Sequence, residues 1–135
     1  MPTEDLVNIY ILYIRSLVEQ NVAVWHHTIT QEETEDLECV QKVALKMILK
    51  ENYTNYDDAL DSVGLENLQS RRIILCLKFA KGCLKNEKTA GMFPLNPSYN
   101  PKLRNSEQYD VKFAHNNRLR DSAIPALQRM LNGKQ

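Results

Sequence analysis

Residues 66–86, ENLQSRRIILCLKFAKGCLKN, decide the fold class that this sequence predicts. On a helical wheel measured from Arg71, an arc from about 40° to 220° is apolar. That arc contains Leu75, Cys76, Phe79, Ala80, Cys83 and Leu84. The other side of the wheel carries Arg71, Lys78, Lys81, Lys85 and Lys88. The pattern predicts a long helix with one core face and one basic face.

The segment before this helix carries two helix start signals. The order Thr30-Gln-Glu-Glu33 is a capping box, which predicts a helix from about 31 to 50. Asn55 then caps a short helix from Tyr56 to about Val63, and Gly64 ends it.

The N-terminal segment predicts a further helix. Residues 3–20, TEDLVNIYILYIRSLVEQ, have Thr3 as N-cap, acidic residues in the first turn and a wide apolar face. Residues 21–30, NVAVWHHTIT, are β-branched and aromatic, but no second strand is available to pair with them. We predict an extended connector there.

The C-terminal third predicts a long loop and a short helix. Residues 87–117 contain three prolines among Asn, Ser and Gly, which is typical of an irregular loop. Ser122 begins a helix that tolerates Pro125 in its first turn and stops before Gly133.

The predicted architecture is an all-α fold of four to five helices in a small bundle. The length of 135 residues allows one modest core, and only four glycines and five prolines argue against a loop-dominated β-fold. The predicted division is a helical domain at 1–86, an irregular loop at 87–117, and a short helix with a tail at 118–135.

Two polar residues fall where the predicted helices should be buried. The apolar side of the helix at 31–50 is Leu37, Val40, Ala44, Met47 and Ile48, and the solvated side is Glu38, Lys42, Lys46 and Lys50. Gln41 falls within the apolar arc, so we expect it to be buried and hydrogen-bonded. Arg72 lies at about 100° on its wheel, so we expect it to be buried and paired with Glu38 or Asp58.

The formal net charge of zero conceals an asymmetry. Residues 1–70 carry 4 Lys+Arg and 13 Asp+Glu, whereas residues 71–135 carry 13 and 4. Either the halves pair with each other or the basic half binds an anionic partner such as nucleic acid. The predicted phosphate contacts are Lys78, Lys81, Lys85 and Lys88, with Arg104, Lys112, Arg118 and Arg120 behind them.

No motif indicates catalysis, a metal site or a cofactor. Cys39, Cys76 and Cys83 lack ligand spacing, and reduced core cysteines are the better interpretation. Tyr56-Asp57-Asp58 looks like a polymerase metal motif, but it follows a helix cap, where acidic residues need no metal. His26 and His27 are expected at the surface beside an anchoring Trp25. No segment has the roughly 18 apolar residues of a membrane span, so we expect an intracellular protein without membrane contact.

Three stretches in register resemble the C-terminal region of non-LTR (LINE-type, jockey-like) retrotransposon reverse transcriptases. The first is IRSLVEQNVAVWHHTITQEETEDLECVQKVALKMIL, similar to an "IRS-x-(L/V)-E…VW" run and an "LE-x-(V/I)-QK" helix. The second is YTNYDDALDSVGLENLQSRRIILCLKFAKGCLKN, similar to "Y-x-x-Y-x-x-AL…L-x-x-L-x-x-RR-x-x-L-C-x-x-FA-(K/R)". The third is RLRDSAIPALQRMLN, similar to "S-x-IP-x-x-x-x-x-LN".

The resemblance implies a helical extension that follows the polymerase palm and thumb. The catalytic carboxylates of the family lie upstream of this region, so the chain is expected to be a non-catalytic fragment rather than an enzyme. The implied partner is RNA or an RNA–DNA duplex, in the nucleus or the cytoplasm. The resemblance assigns no contact residues, and it is the charge pattern that predicts them: Arg71, Lys78, Lys81, Lys85, Lys88, Arg118 and Arg120.

The first helix supports an alternative function as a protein-interaction module. Its apolar residues, Leu6, Val7, Ile9, Tyr10, Ile11, Leu12, Tyr13, Ile14, Leu17 and Val18, exceed the single stripe that a surface helix buries. The excess predicts docking on a polymerase thumb or self-association through residues 6–18.

Overall fold

The computed structural model describes residues 1–111 and 113–133, and within them the fold is all-α, as predicted. The helices, in chain order, are α1 (Thr3–Ile9), α2 (Ser16–Val18), α3 (Val22–Trp25), α4 (Gln31–Leu49), α5 (Tyr56–Val63), α6 (Leu68–Lys85), α7 (Glu87–Ala90), α8 (Asn117–Arg120) and α9 (Ala123–Leu131). The described residues contain no strand, and their β pairing is limited to one antiparallel bridge between Leu95 and Tyr109. No described helix is both long and apolar enough to cross a membrane.

The chain forms two compact units, and their formal charges are opposite in sign. The first contains residues 1–22 and 29–73, and the second contains residues 23–28 and 74–135. By sequence, the first has 6 Lys+Arg and 13 Asp+Glu, a formal charge of −7, and the second has 11 and 4, a formal charge of +7. We call them the acidic unit and the basic unit.

The N-terminal helix begins one residue earlier than predicted. Its N-cap is Pro2, and no described side chain caps it, so the prediction of Thr3 as N-cap is wrong. The extended backbone of Pro2 already places its carbonyl to accept from Leu6 N, at 3.3 Å. The helix passes through a π-helical segment, Tyr10–Arg15, before continuing as α2.

Residues 21–30 do not form the extended connector that the sequence predicts. Asn21 adopts a left-handed φ of 54°, and α3 follows it directly. The backbone N–H and the hydroxyl of Thr28 both donate to Trp25 O, at 3.0 and 2.8 Å. These local hydrogen bonds satisfy the backbone without a partner strand, which outweighs the β propensity of the segment.

Helix α4 begins with the predicted capping box. The Thr30 side chain accepts from Glu33 N, and the Glu33 carboxylate accepts from Thr30 N at 2.7 Å. The buried face is rotated relative to the predicted one and consists of Thr34, Gln41, Ala44, Leu45 and Ile48.

The buried face of α4 differs from the predicted one because two neighbouring helices determine which of its residues are covered. Tyr10 packs with Ala44 and Ile48, and α5 packs on the other side against Leu45. The predicted core residues Val40 and Met47 lie outside this arc and are 42% and 69% exposed.

Helices α5 and α6 keep their predicted limits within two residues. Asn55 accepts from Asp58 N to cap α5, and Gly64 ends it with a left-handed φ of 67°. Cys76 and Ala80 of α6 are buried as predicted, but Phe79 is 52% exposed and Cys39 on α4 is also exposed. The prediction that Phe79 and Cys39 belong to the core is therefore wrong.

The predicted loop at 87–117 is more ordered than an irregular connection. It opens with α7 and carries the Leu95–Tyr109 bridge. Asn132, after α9, donates to Tyr109 O at 3.0 Å and accepts from Tyr109 N at 2.9 Å. Ser122 precedes α9 as its N-cap, and Gly133 follows with a φ of 77°, as predicted.

Candidate nucleic-acid interface

The last turns of α6 carry the centre of the predicted interface. Lys78, Lys81 and Lys85 are all exposed, and none forms an ion pair with a described residue. Their spacing of three and four residues places them on one side of the helix. Three uncompensated cations on one exposed surface attract a polyanion.

Lys88 belongs to a different helix from the other lysines. Asn86 leaves α6 with extended backbone and caps α7, where its side chain accepts from Lys88 N at 3.0 Å. Lys88 is exposed. The basic stripe is therefore interrupted by a turn, which the helical-wheel prediction did not include.

Arg71 is held by a carboxylate of the acidic unit. Its guanidinium donates to both oxygens of Glu19, which also lies 3.6 Å from Arg15. The side chain of Arg71 is 30% exposed. Phosphate binding by Arg71 would require breaking this pair, so the geometry favours a structural role.

The two C-terminal arginines differ in their surroundings. Arg120 donates to both oxygens of Asp121, at 2.8 and 3.0 Å, and this hydrogen bonding lowers the pKa of Asp121. Asp121 also lies 3.8 Å from Arg129. Arg118 is exposed and has no ion pair with a described residue, so it is the freer of the two predicted contacts. Lys112 lies outside the described residues.

Gln41 is buried and hydrogen-bonded, as the sequence predicts. It accepts from the Tyr10 hydroxyl at 2.7 Å and donates to Tyr56 Oη and Glu66 O at 3.2 and 2.9 Å. The Tyr56 hydroxyl donates in turn to Glu38. Burial raises the pKa of Tyr10 to about 12 and also raises that of Tyr56, so both hydroxyls keep their protons.

The prediction that Glu38 lies on a solvated face is wrong, because its carboxylate is part of this hydrogen-bond network. Its second carboxylate oxygen accepts from Gln69 N at 2.7 Å, at the start of α6.

Arg72 is buried as predicted, at 1% exposure. The two carboxylates predicted as partners of Arg72 accept hydrogen bonds from other residues. Glu38 accepts from Tyr56 and Gln69 N, and Asp58 accepts from Asn55 and Thr54.

Two pairs of residues are candidates for chemical motifs in the sequence, Asp57 with Asp58 and His26 with His27. Asp57 and Asp58 occupy the first turn of α5, as the capping interpretation predicts. No group of three His, Cys, Asp or Glu among the described residues is arranged to hold a metal ion. His26 and His27 are half-buried rather than at the surface, and their rings make an edge contact with centroids 4.8 Å apart.

The first helix exposes apolar side chains, as its composition predicts. Ile9, Leu12, Tyr13, Ile14 and Leu17 are 40–71% exposed. Tyr10 is buried, and Leu6, Val7 and Ile11 pack against its cluster.

Sequence reasoning missed one buried polar residue in the basic unit. Gln128 on α9 is 3% exposed and donates to Met92 O at 2.9 Å. The signal that could have found it was its position among Ala126, Leu127 and Met130 in an apolar helix.

No protein family, curated protein or solved structure was found to match this chain.

Proposed function

We propose that this chain is a non-catalytic helical module of the retrotransposon reverse transcriptase type, which associates with RNA or an RNA–DNA duplex. The observation that carries the proposal is the exposed set of Lys78, Lys81 and Lys85, without ion pairs to described residues, in a unit of formal charge +7. Lys88 and Arg118 extend the set. The three stretches that resemble the C-terminal region of the family supply the choice of RNA over other polyanions.

Phosphate binding has a physical signature that tests the proposal. Each phosphate neutralised by a lysine releases counterions, so the affinity falls steeply with salt. Fluorescence anisotropy with labelled single-stranded RNA and with an RNA–DNA duplex, titrated from about 50 to 200 mM salt, should show this fall. An affinity below detection at the lowest salt would refute the proposal.

A second candidate function is favoured by the exposed apolar residues of the first helix. An interaction module that docks on another protein body, or on a second copy, would bury Leu12, Tyr13 and Leu17. Apolar docking depends little on salt, so an interaction that persists at high salt would favour this function.

A further inference from the structure

Phe79 is an exposed aromatic side chain on the helix that carries the basic face. It is 52% exposed, whereas Cys76 and Ala80 of the same helix are fully buried. Single exposed apolar residues are common on protein surfaces, so the surroundings of such a residue decide whether it has a role. Those of Phe79 are the exposed lysines of the basic unit.

The position of Phe79 on α6 places it between the core and these lysines. On the helical wheel used above, Phe79 lies at about 80°, and Lys78 and Lys85 lie at about −20° and −40°. Leu75 and Cys83, one turn before and one turn after Phe79, are partly buried. Phe79 therefore borders the core on one side and the basic face on the other.

Gly82 leaves the helix surface open between Phe79 and the lysines. It lies at about 20° on the same wheel, three residues after Phe79. A Cβ at Gly82 would meet no atom of the described residues within 4 Å. Glycine is unfavourable inside a helix, so a side chain at this position would cost no stability. The opening beside the Phe79 ring is therefore accessible to a flat group such as a nucleic-acid base.

We propose that Phe79 is a stacking site for an unpaired base of single-stranded RNA. The base covers the ring above Gly82, and the neighbouring phosphates contact Lys78, Lys81 and Lys85. Proteins that bind single strands combine cations of this kind with aromatic side chains, because every base has a π face. This inference rests on the proposed function and specifies the form of RNA that the basic face binds.

The same geometry favours a single strand over an RNA–DNA duplex. A base inside a duplex already stacks on both of its neighbours, so it offers no free face to Phe79. A duplex can therefore use the lysines but not the ring. The contribution of Phe79 to affinity should appear with unpaired bases alone.

The test separates the aromatic ring of Phe79 from its hydrophobicity. Phe79→Leu keeps a large apolar side chain without the ring, and Phe79→Tyr keeps the ring. Labelled oligouridylate of about 12 nucleotides is titrated with the whole chain by fluorescence anisotropy. We expect Phe79→Leu to bind at least about fivefold more weakly and Phe79→Tyr to stay within about twofold of the parent. The salt dependence should be unchanged in both, because Phe79 carries no charge.

A matched variant and two further probes serve as controls. Tyr13→Leu removes a 69% exposed aromatic ring from the acidic unit, and it should bind oligouridylate within about twofold of the parent. A blunt RNA–DNA duplex and inorganic polyphosphate, used as competitor, offer phosphates without unpaired bases. Their affinities should differ by less than about twofold between the parent and Phe79→Leu.

Gly82→Ile tests the open surface independently of the ring. Isoleucine has a stiff side chain and forms helices better than glycine, so the melting temperature should not fall. Its branched side chain occupies the space that the base requires. We expect at least about threefold weaker binding of oligouridylate, with binding of the duplex changed by less than about twofold.

The outcomes separate the stacking site from the proposed function. Salt-dependent binding of oligouridylate that is equal in the parent and Phe79→Leu would overturn the stacking site and leave the proposed function standing. A loss in Phe79→Leu that extends equally to polyphosphate would overturn it as well, because a change in the fold would then explain both. Full affinity in Gly82→Ile would overturn the position of the base. Absence of binding to all three probes would overturn both proposals.

Discussion

Tyr10 donates a hydrogen bond of 2.7 Å to Gln41, across 31 residues of chain. The contact joins the N-terminal helix to α4, and Gln41 extends it to Tyr56 and to the backbone before α6. One side chain thereby connects four segments of the acidic unit. Because each member has a partner, the network specifies the register of these segments without leaving a buried polar group unsatisfied.

Replacing Gln41 by Leu should destabilise the protein by about 2–3 kcal/mol, because Tyr10 and Glu66 lose their buried partner. Urea unfolding followed by circular dichroism measures the change. Asp36→Leu, at an exposed position of the same helix, is the control and should stay within about 0.5 kcal/mol of the parent. Equal stability of the parent and the Gln41→Leu variant would show that the network contributes nothing net.

Replacing Asn132 by Ala should release the segment around Tyr109 from the end of α9. Both hydrogen bonds between these residues use the Asn132 amide, and their loss should cost about 1–3 kcal/mol. Amide hydrogen exchange at Tyr109 should accelerate in the variant. Exchange that is unchanged there would show that the bridge with Leu95 is sufficient to hold the segment.

Replacing Lys78, Lys81 and Lys85 together by Gln should leave the melting temperature nearly unchanged, because exposed charges contribute little to stability. The same variant should bind single-stranded RNA more weakly and lower the magnitude of the salt slope by about 2. Lys42, Lys46 and Lys50 of the acidic unit, replaced in the same way, form the control. If both triple variants bind equally, the contacts lie elsewhere, with the Arg118 segment the next to test.

Self-association should depend on Leu12 and Leu17, which are 67% and 71% exposed. Replacing both by Gln should reduce the particle size that light scattering measures at high concentration. Ile11, which composition alone placed in the same group, packs against the Tyr10 cluster, so Ile11→Gln should lower stability instead. A parent chain that is already a monodisperse monomer would remove the basis of this prediction.

Stability should fall as the pH is lowered through the titration of His27. Burial lowers the pKa of His27 below its ordinary value of 6.5, and the positive charge of Arg129 lowers it further, whereas Asp121 opposes this. The unfolded chain therefore binds this proton more readily than the folded chain. The stabilising difference is fully present above the unfolded pKa and is lost as the pH falls toward the folded pKa.

Thermal melts of the parent and of His27→Gln at several pH values measure this contribution. The variant should lose part of the pH dependence between neutral and mildly acidic pH. His115 is exposed, so His115→Gln serves as the control and should follow the parent curve. Identical pH dependence in all three proteins would show that another group is responsible.

Local signals in the sequence determined the helices and many of their ends. The Thr30 capping box, the Asn55 cap and the left-handed Gly64 involve residues three or four apart or a single backbone conformation. Such features do not require knowledge of the tertiary structure, which is why they are found where the sequence predicts them. Burial of Gln41 and Arg72 was also predictable, because a polar residue within an apolar arc must enter the core with its helix.

The tertiary structure alone decided which part of each broad apolar face is covered. Met47 and Phe79 are as apolar as their buried neighbours, but they are exposed because the packing partners cover a different arc. The same holds for Glu38 and Arg71, whose partners Gln69 and Glu19 lie 31 and 52 residues away. The burial of Gln128 is a further example, because the carbonyl that accepts from its amide belongs to Met92, 36 residues away. Helical periodicity describes one helix at a time, so it contains no information about which helix packs against it.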